Sequence, residues 1–138
     1  MKAPYLLLII TLFSSKVLSQ DISDTKRNDN SIFTVVEQPA EFPGGMTALY
    51  DFLVKELQFP EDARKNGITG KVYVQFVVTK DGSIDKENVV ILKSLYPSLD
   101  EEAVRIVKLM PNWKPGTQHG KAVNTRFVLP LTFNSTKK

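Results

Sequence analysis

The sequence predicts an α+β fold, a two-layer sandwich with two helices on one face of a three-stranded antiparallel sheet. Three observations predict it. Apolar residues recur first at helical spacing, then in two alternating runs joined by Asp81-Gly82, then at helical spacing again, and finally in one more alternating run. The chain has 138 residues, 42% of them hydrophobic, which is material for one core and not for two. Pro130 interrupts the last alternating run, and proline in a strand places that strand at a sheet edge. Hairpin strands are antiparallel neighbours, and a helical crossover joins the second strand to the third. The simplest sheet therefore has the order 2-1-3, with the first strand in the middle.

Each element has its own signal. Met46, Leu49, Tyr50, Leu53 and Leu57 form one helical stripe after the turn Pro43-Gly44-Gly45. Pro60 stops that helix and begins a short second turn, with Glu61 and Asp62 at its start, Arg64 and Lys65 at its end, and Gly67 as its cap. In Gly70–Thr79, Val72, Val74, Phe76 and Val78 alternate with Lys71, Tyr73, Gln75 and Thr79, so Phe76 is expected in the core. The return strand runs from about Ile84 to Leu95; Val89 to Leu92 does not alternate, which leaves its register open and admits a bulge. Ser98-Leu99-Asp100-Glu101 reads as a capping box, and Leu99, Ala103, Ile106, Val107 and Met110 share the face of the helix it opens. Asn112–Gly120 reads as a loop. In the last strand, Lys121–Phe133, residues Val123, Phe127, Leu129, Leu131 and Phe133 share a face.

The amino-terminal end has the layout of a cleaved secretory signal peptide over residues 1–19: Lys2, an apolar run Ala3–Phe13, and Val17-Leu18-Ser19 before the cut. A spanning helix needs about 20 apolar residues, and Ser14, Ser15 and Lys16 interrupt this run too early. Residues 20–34 read as a flexible leader and 35–138 as the folded domain, with the periplasm as the expected location and inner-membrane anchoring the lesser reading. Cleavage removes two lysines and no acid, lowering the formal charge from +3 to +1, so the basic balance does not argue for nucleic acid. Without cysteine there are no disulfides and no thiolate metal sites.

Catalytic chemistry is not expected. His119 is the sole histidine and lies in a Gln-His-Gly turn with no nucleophile motif beside it. Asp100, Glu101 and Glu102 read as a helix first turn, and Gly44-Gly45 lacks the spacing of a phosphate loop. No metal, cofactor or small-molecule substrate is implied. The informative feature is the edge. If the nitrogen of Pro130 faces away from the sheet, alternation turns the backbone groups of Asn124, Arg126 and Val128 outward too, where an extended peptide could add as a strand. The alternatives are an edge merely blunted by Pro130 and Arg126, and an edge covered by the chain's own β-prone Ile32–Val36.

At these residues the sequence resembles the TonB carboxy-terminal domain family, in particular its Bacteroidota-type members. The resemblance rests on Val36-Glu37-Gln38, Glu41-Phe42-Pro43-Gly44-Gly45, Phe59-Pro60-Glu61-Asp62-Ala63, Asn66-Gly67-Ile68, Gly70-Lys71-Val72, Phe76-Val77-Val78, Asp81-Gly82-Ser83-Ile84, Pro97-Ser98-Leu99-Asp100, Trp113-Lys114-Pro115-Gly116 and Leu129-Pro130. It covers roughly residues 35–134. It implies two helices on a three-stranded antiparallel sheet and a part in TonB-dependent transmembrane transport, with the Ton box peptide of an outer-membrane receptor added beside the last strand. Carried over, the peptide-binding residues are Asn124, Arg126 and Val128 on that strand, the aromatics Trp113 and Phe127, and Phe59-Pro60 in place of a Tyr-Pro motif. A homodimer, or an envelope structural module with the same fold and no transducer role, is the alternative partner reading. About a dozen polar residues between signal peptide and domain reach at most ~40 Å, so this chain is not expected to couple the proton-motive force by itself.

Overall fold

A computed structural model describes residues 30–134; the expected signal peptide and the leader up to residue 29 lie outside the described residues. Along the chain run β1 (Ile32–Phe33), α1 (Gly45–Glu56), α2 (Glu61–Lys65), β2 (Gly70–Val78), β3 (Val90–Lys93), α3 (Pro97–Lys108), β4 (Gly116–Gln118) and β5 (Lys121–Phe133). β2 lies between β3 and β5 and is antiparallel to both, which is the 2-1-3 arrangement of the hairpin and the last strand.

The whole sheet is larger than the sequence predicts, and the expectation of three strands and two helices is corrected. It has five strands in the order β1-β5-β2-β3, with β4 paired to the start of β5, and three helices stand with it. It is mixed, because β1 runs parallel to β5. β1 is too short to show an alternation, and it lies at the end of the stretch read as leader. β4 carries no apolar residue, so Asn112–Gly120 looked like a loop. It is folded back by a two-residue turn: His119 and Gly120 both have positive φ, 52° and 76°, the geometry that matches strand twist in a tight hairpin.

The core lies between the sheet and its helices. Val72, Val74, Phe76 and Val78 of β2 are fully buried, as are Leu99, Ala103, Ile106 and Val107 of α3. β5 contributes Leu129, Leu131 and Phe133, and α2 contributes Ala63. The α1 stripe is corrected. Leu49 is buried and Phe52, Leu53 and Leu57 pack on the core, but Met46 and Tyr50 are 70% and 60% exposed. Phe42, fixed ahead of the turn, takes the Phe52 ring at 5.5 Å and so rotates the helix toward Phe52.

The α3 cap also differs from the capping box. The helix begins one residue earlier, with Pro97 at its first position, which places Ser98 inside the helix, its hydroxyl buried without a partner. Asp100 does the end's work instead, accepting from the Leu95 amide at 3.2 Å and from the Ser94 hydroxyl. The open register of the return strand resolves as a bulge: Tyr73 faces Lys93 while Val74 faces Ile91. A buried carboxylate not foreseen from sequence ties α3 to the end of α1. Glu102 accepts from Arg105 Nε and Nη2 at 2.6 and 2.7 Å and from the Gln58 amide at 2.6 Å, and Arg105 Nη2 also donates to the Glu56 carbonyl at 2.9 Å. The Glu102 carboxylate raises the Arg105 pKa, chiefly by these hydrogen bonds.

Candidate functional site

β5 is the strand on which the expected site residues converge. It pairs with β2 in unbroken register from Gly70↔Phe133 to Val78↔Thr125. Pro130 stands opposite Tyr73 and has no N–H to give. In an antiparallel ladder hydrogen-bonded and non-hydrogen-bonded pairs alternate. If Tyr73↔Pro130 is of the second kind, so are Gln75↔Val128 and Val77↔Arg126, while Val74↔Leu129 and Phe76↔Phe127 exchange their bonds inward. Parity therefore turns the backbone groups of Asn124, Arg126 and Val128 to the outer flank.

Part of that flank is covered by the chain itself. β1 lies there in parallel register, Ile32 opposite Asn124 and Phe33 opposite Thr125. Asn124 fastens both neighbours: its Oδ1 accepts from the Lys80 amide at 2.8 Å and its Nδ2 donates to the Ser31 carbonyl at 3.4 Å. Arg126 Nη1 donates to the Thr34 hydroxyl at 2.9 Å. Beyond Thr34 the segment departs. Val35 is 84% exposed, and Val128, two residues further along β5 than Arg126, is 42% exposed.

After leaving β5, the segment runs along β4. Gln38 and Thr117 exchange backbone hydrogen bonds at 3.2 and 2.9 Å, and Glu41 and Lys114 at 2.9 and 2.8 Å. Gly116 must be glycine here: a Cβ would collide with the Thr125 hydroxyl and come within 3.1 Å of the Gln38 carbonyl. Glu37 reaches the hairpin turn, its carboxylate 3.4 Å from both the amide and Nδ1 of His119.

Trp113 and Phe127 meet, with ring centroids 4.9 Å apart, and both touch Phe76. They are not equivalent. Trp113 is a core residue, 4% exposed, its Nε1 buried without a partner, whereas Phe127 is half-buried. Both line an open groove of about 460 Å³ with Pro39, Phe42, Met46 and Pro115. Asn124, Arg126, Val128, Phe127 and Trp113 thus gather around the middle of β5. Phe59 and Pro60 do not join them: the Phe59 ring packs edge-on against Phe133 at 5.8 Å, and Pro60 caps α2. Seven residues of strand separate Arg126 from Phe133, roughly 23 Å.

The sequence offers no handle on Glu37, whose carboxylate meets a residue 82 positions away, or on Gln38 and Glu41, which pair through their main chains. The motif stretches containing them were the available signal. Among the described residues no group of histidines and carboxylates is placed to hold a metal ion, and no helix is long and apolar enough to cross a membrane.

The family model described as the carboxy-terminal region of the Gram-negative bacterial TonB protein matches residues 55–135. Among solved structures, the chain is similar to the TonB carboxy-terminal domain of Helicobacter pylori, at 19% identity and a TM-score of 0.49, over 67% of this chain and 96% of that one. It is similar also to the TonB carboxy-terminal domain of Pseudomonas aeruginosa, at 28% identity and a TM-score of 0.46, over 59% of this chain and 80% of that one. No curated protein matches.

Proposed function

Because the chain belongs to the family of Gram-negative bacterial TonB carboxy-terminal domains, a non-catalytic family with a role in TonB-dependent transport, we propose that it is a periplasmic protein-binding domain whose β5 accepts an extended, Ton box-like peptide by strand addition. Domains of this family interact with TonB-dependent receptors, and the proposed partner is such a receptor's exposed peptide. The observation that carries the reading is β1 itself. An extended segment sits on the outer flank of β5, yet pairs at only two positions, leaving Arg126 and Val128 beyond its end. A longer peptide entering in the same register would reach those positions too and so outcompete β1.

Binding then requires β1 to leave. Titrating the exported chain with Ton box peptides should give saturable binding by a monomer, and deleting residues 20–36 should tighten it. Self-association without peptide binding would favour a dimerising envelope module instead. That second reading has its own observation: β3 is the opposite edge of the sheet, and its Val90 and Leu92 are 44% and 52% exposed. The periplasmic location rests on the amino-terminal layout. Mass spectrometry of the exported protein should find a start near Gln20, and an intact Met1 in the inner-membrane fraction would overturn it.

A further inference from the structure

Building on the reading of the outer β5 flank as a peptide-accepting edge, we infer that Arg126 selects an incoming strand carrying a carboxylate where β1 carries Thr34. β1 serves as the template. Its register, Ile32 opposite Asn124 and Phe33 opposite Thr125, brings Thr34 beside Arg126 on the sheet face away from the helices. There Arg126 Nη1 donates to the Thr34 hydroxyl at 2.9 Å.

That contact leaves the guanidinium under-satisfied. Arg126 has five N–H donors, and a hydroxyl offers a single neutral acceptor oxygen. The Arg126 Nε is shut off from solvent and has no partner. Among the described residues no carboxylate pairs with Arg126, whereas Lys65 pairs with Glu61 and Arg105 with Glu102. A buried donor without an acceptor is a standing cost that the right ligand removes. A carboxylate carries a full charge and two oxygens, and it can accept two guanidinium N–H groups side by side. The same molecule shows the arrangement: Glu102 takes Nε and Nη2 of Arg105. A strand that replaces β1 and bears Asp or Glu after two apolar residues would give Arg126 what Thr34 cannot.

The test uses two labelled peptides, one copying residues 30–35 of this chain and one copying them with Thr34→Glu. Each is titrated by fluorescence anisotropy against the exported wild-type chain and against the Ile32→Pro chain, whose β1 is weakened. The Thr34→Glu peptide should bind both chains roughly tenfold tighter, since charge-assisted hydrogen bonds are about twice as strong as neutral ones. The Arg126→Gln chain should lose that discrimination and bind the two peptides with equal affinity. A readout independent of added peptide guards against misfolding of Arg126→Gln: placing Thr34→Glu in the chain itself should slow hydrogen exchange at the Asn124 amide. Equal affinity of the two peptides, or unchanged exchange at Asn124, overturns the role of Arg126 and leaves the edge reading standing. If neither peptide binds either chain, the edge reading falls with it.

Discussion

Toward the centre of the sheet, β5 is paired with β2 at nine consecutive positions, from Gly70↔Phe133 to Val78↔Thr125; on its other flank it is paired with β1 at two, Ile32↔Asn124 and Phe33↔Thr125. The inner ladder lies over the core, with Val72, Val74, Phe76 and Val78 fully buried beneath α3. The outer ladder lies at the margin, where Ile32 is 43% exposed and Val35 84%. One strand thus has a long, buried partner on one flank and a short, exposed one on the other. The inner flank is held by apolar burial, which scales with the area removed from water; two backbone pairs contribute only a few net hydrogen bonds. On the proposed reading, the same main-chain chemistry serves structure on one flank and exchange on the other.

The largest effect should come from breaking the inner side. Phe76→Ala removes a ring packed on Trp113 and Phe127 and should lower stability by ~3–5 kcal/mol. Denaturant unfolding measures it, and an unshifted midpoint would mean that this face of β2 is not the core. Next is Leu129→Pro, which takes the inward N–H opposite Val74 and orphans a buried acceptor, a loss on the order of 1–3 kcal/mol. Val128→Pro, one residue away, removes an outward N–H. It should leave the unfolding midpoint nearly in place and weaken peptide binding by ~1 kcal/mol. If the two proline variants unfold alike, the two flanks are not different in kind.

The smallest effect concerns the turn beyond the inner ladder. The Thr79 hydroxyl, and after it Ser83, hold the Asp81 carboxyl below its ordinary pKa. A carboxyl whose folded pKa is depressed stabilises the fold above its unfolded value and loses that contribution as pH falls through the folded one. Unfolding followed from pH 5 down to pH 2 should therefore show a slightly shallower acid loss for Asp81→Asn than for wild type, with equal stability slopes counting against the Thr79 and Ser83 contacts.

This division also separates what the sequence discloses from what it hides. The inner flank is written in period-two alternation: Val72, Val74, Phe76 and Val78 on β2, and Leu129, Leu131 and Phe133 on β5, all buried. Pro130 discloses the outward side by chemistry, since it has no N–H to place in a ladder. The occupancy of the outer flank is harder to read. Ile32–Val36 is visibly β-prone, but pairing of a two-residue strand depends on contacts across 93 and 92 residues of chain, Asn124 Nδ2 to Ser31 and Arg126 to Thr34. β4 was hidden because Gly116-Thr117-Gln118 has no apolar face to report. Met46 and Tyr50 misled because helical spacing identifies a stripe without saying which way it turns, and the Phe42–Phe52 contact decides that. Trp113 matched the family's contact residues, yet its ring lies in the core with Phe42, Phe76 and Phe127.

The most direct test of an exchangeable outer flank is residue-resolved amide hydrogen exchange along β5 in the exported chain, with and without a saturating Ton box peptide. The alternation around Pro130 predicts slow exchange at Phe127 and Leu129 in both states. It predicts fast exchange at Val128 in the free chain, slowed once the peptide adds. A Val128 amide already protected in the free chain, and still protected after deletion of residues 20–36, would show that β5 has no available outer flank and would contradict the account.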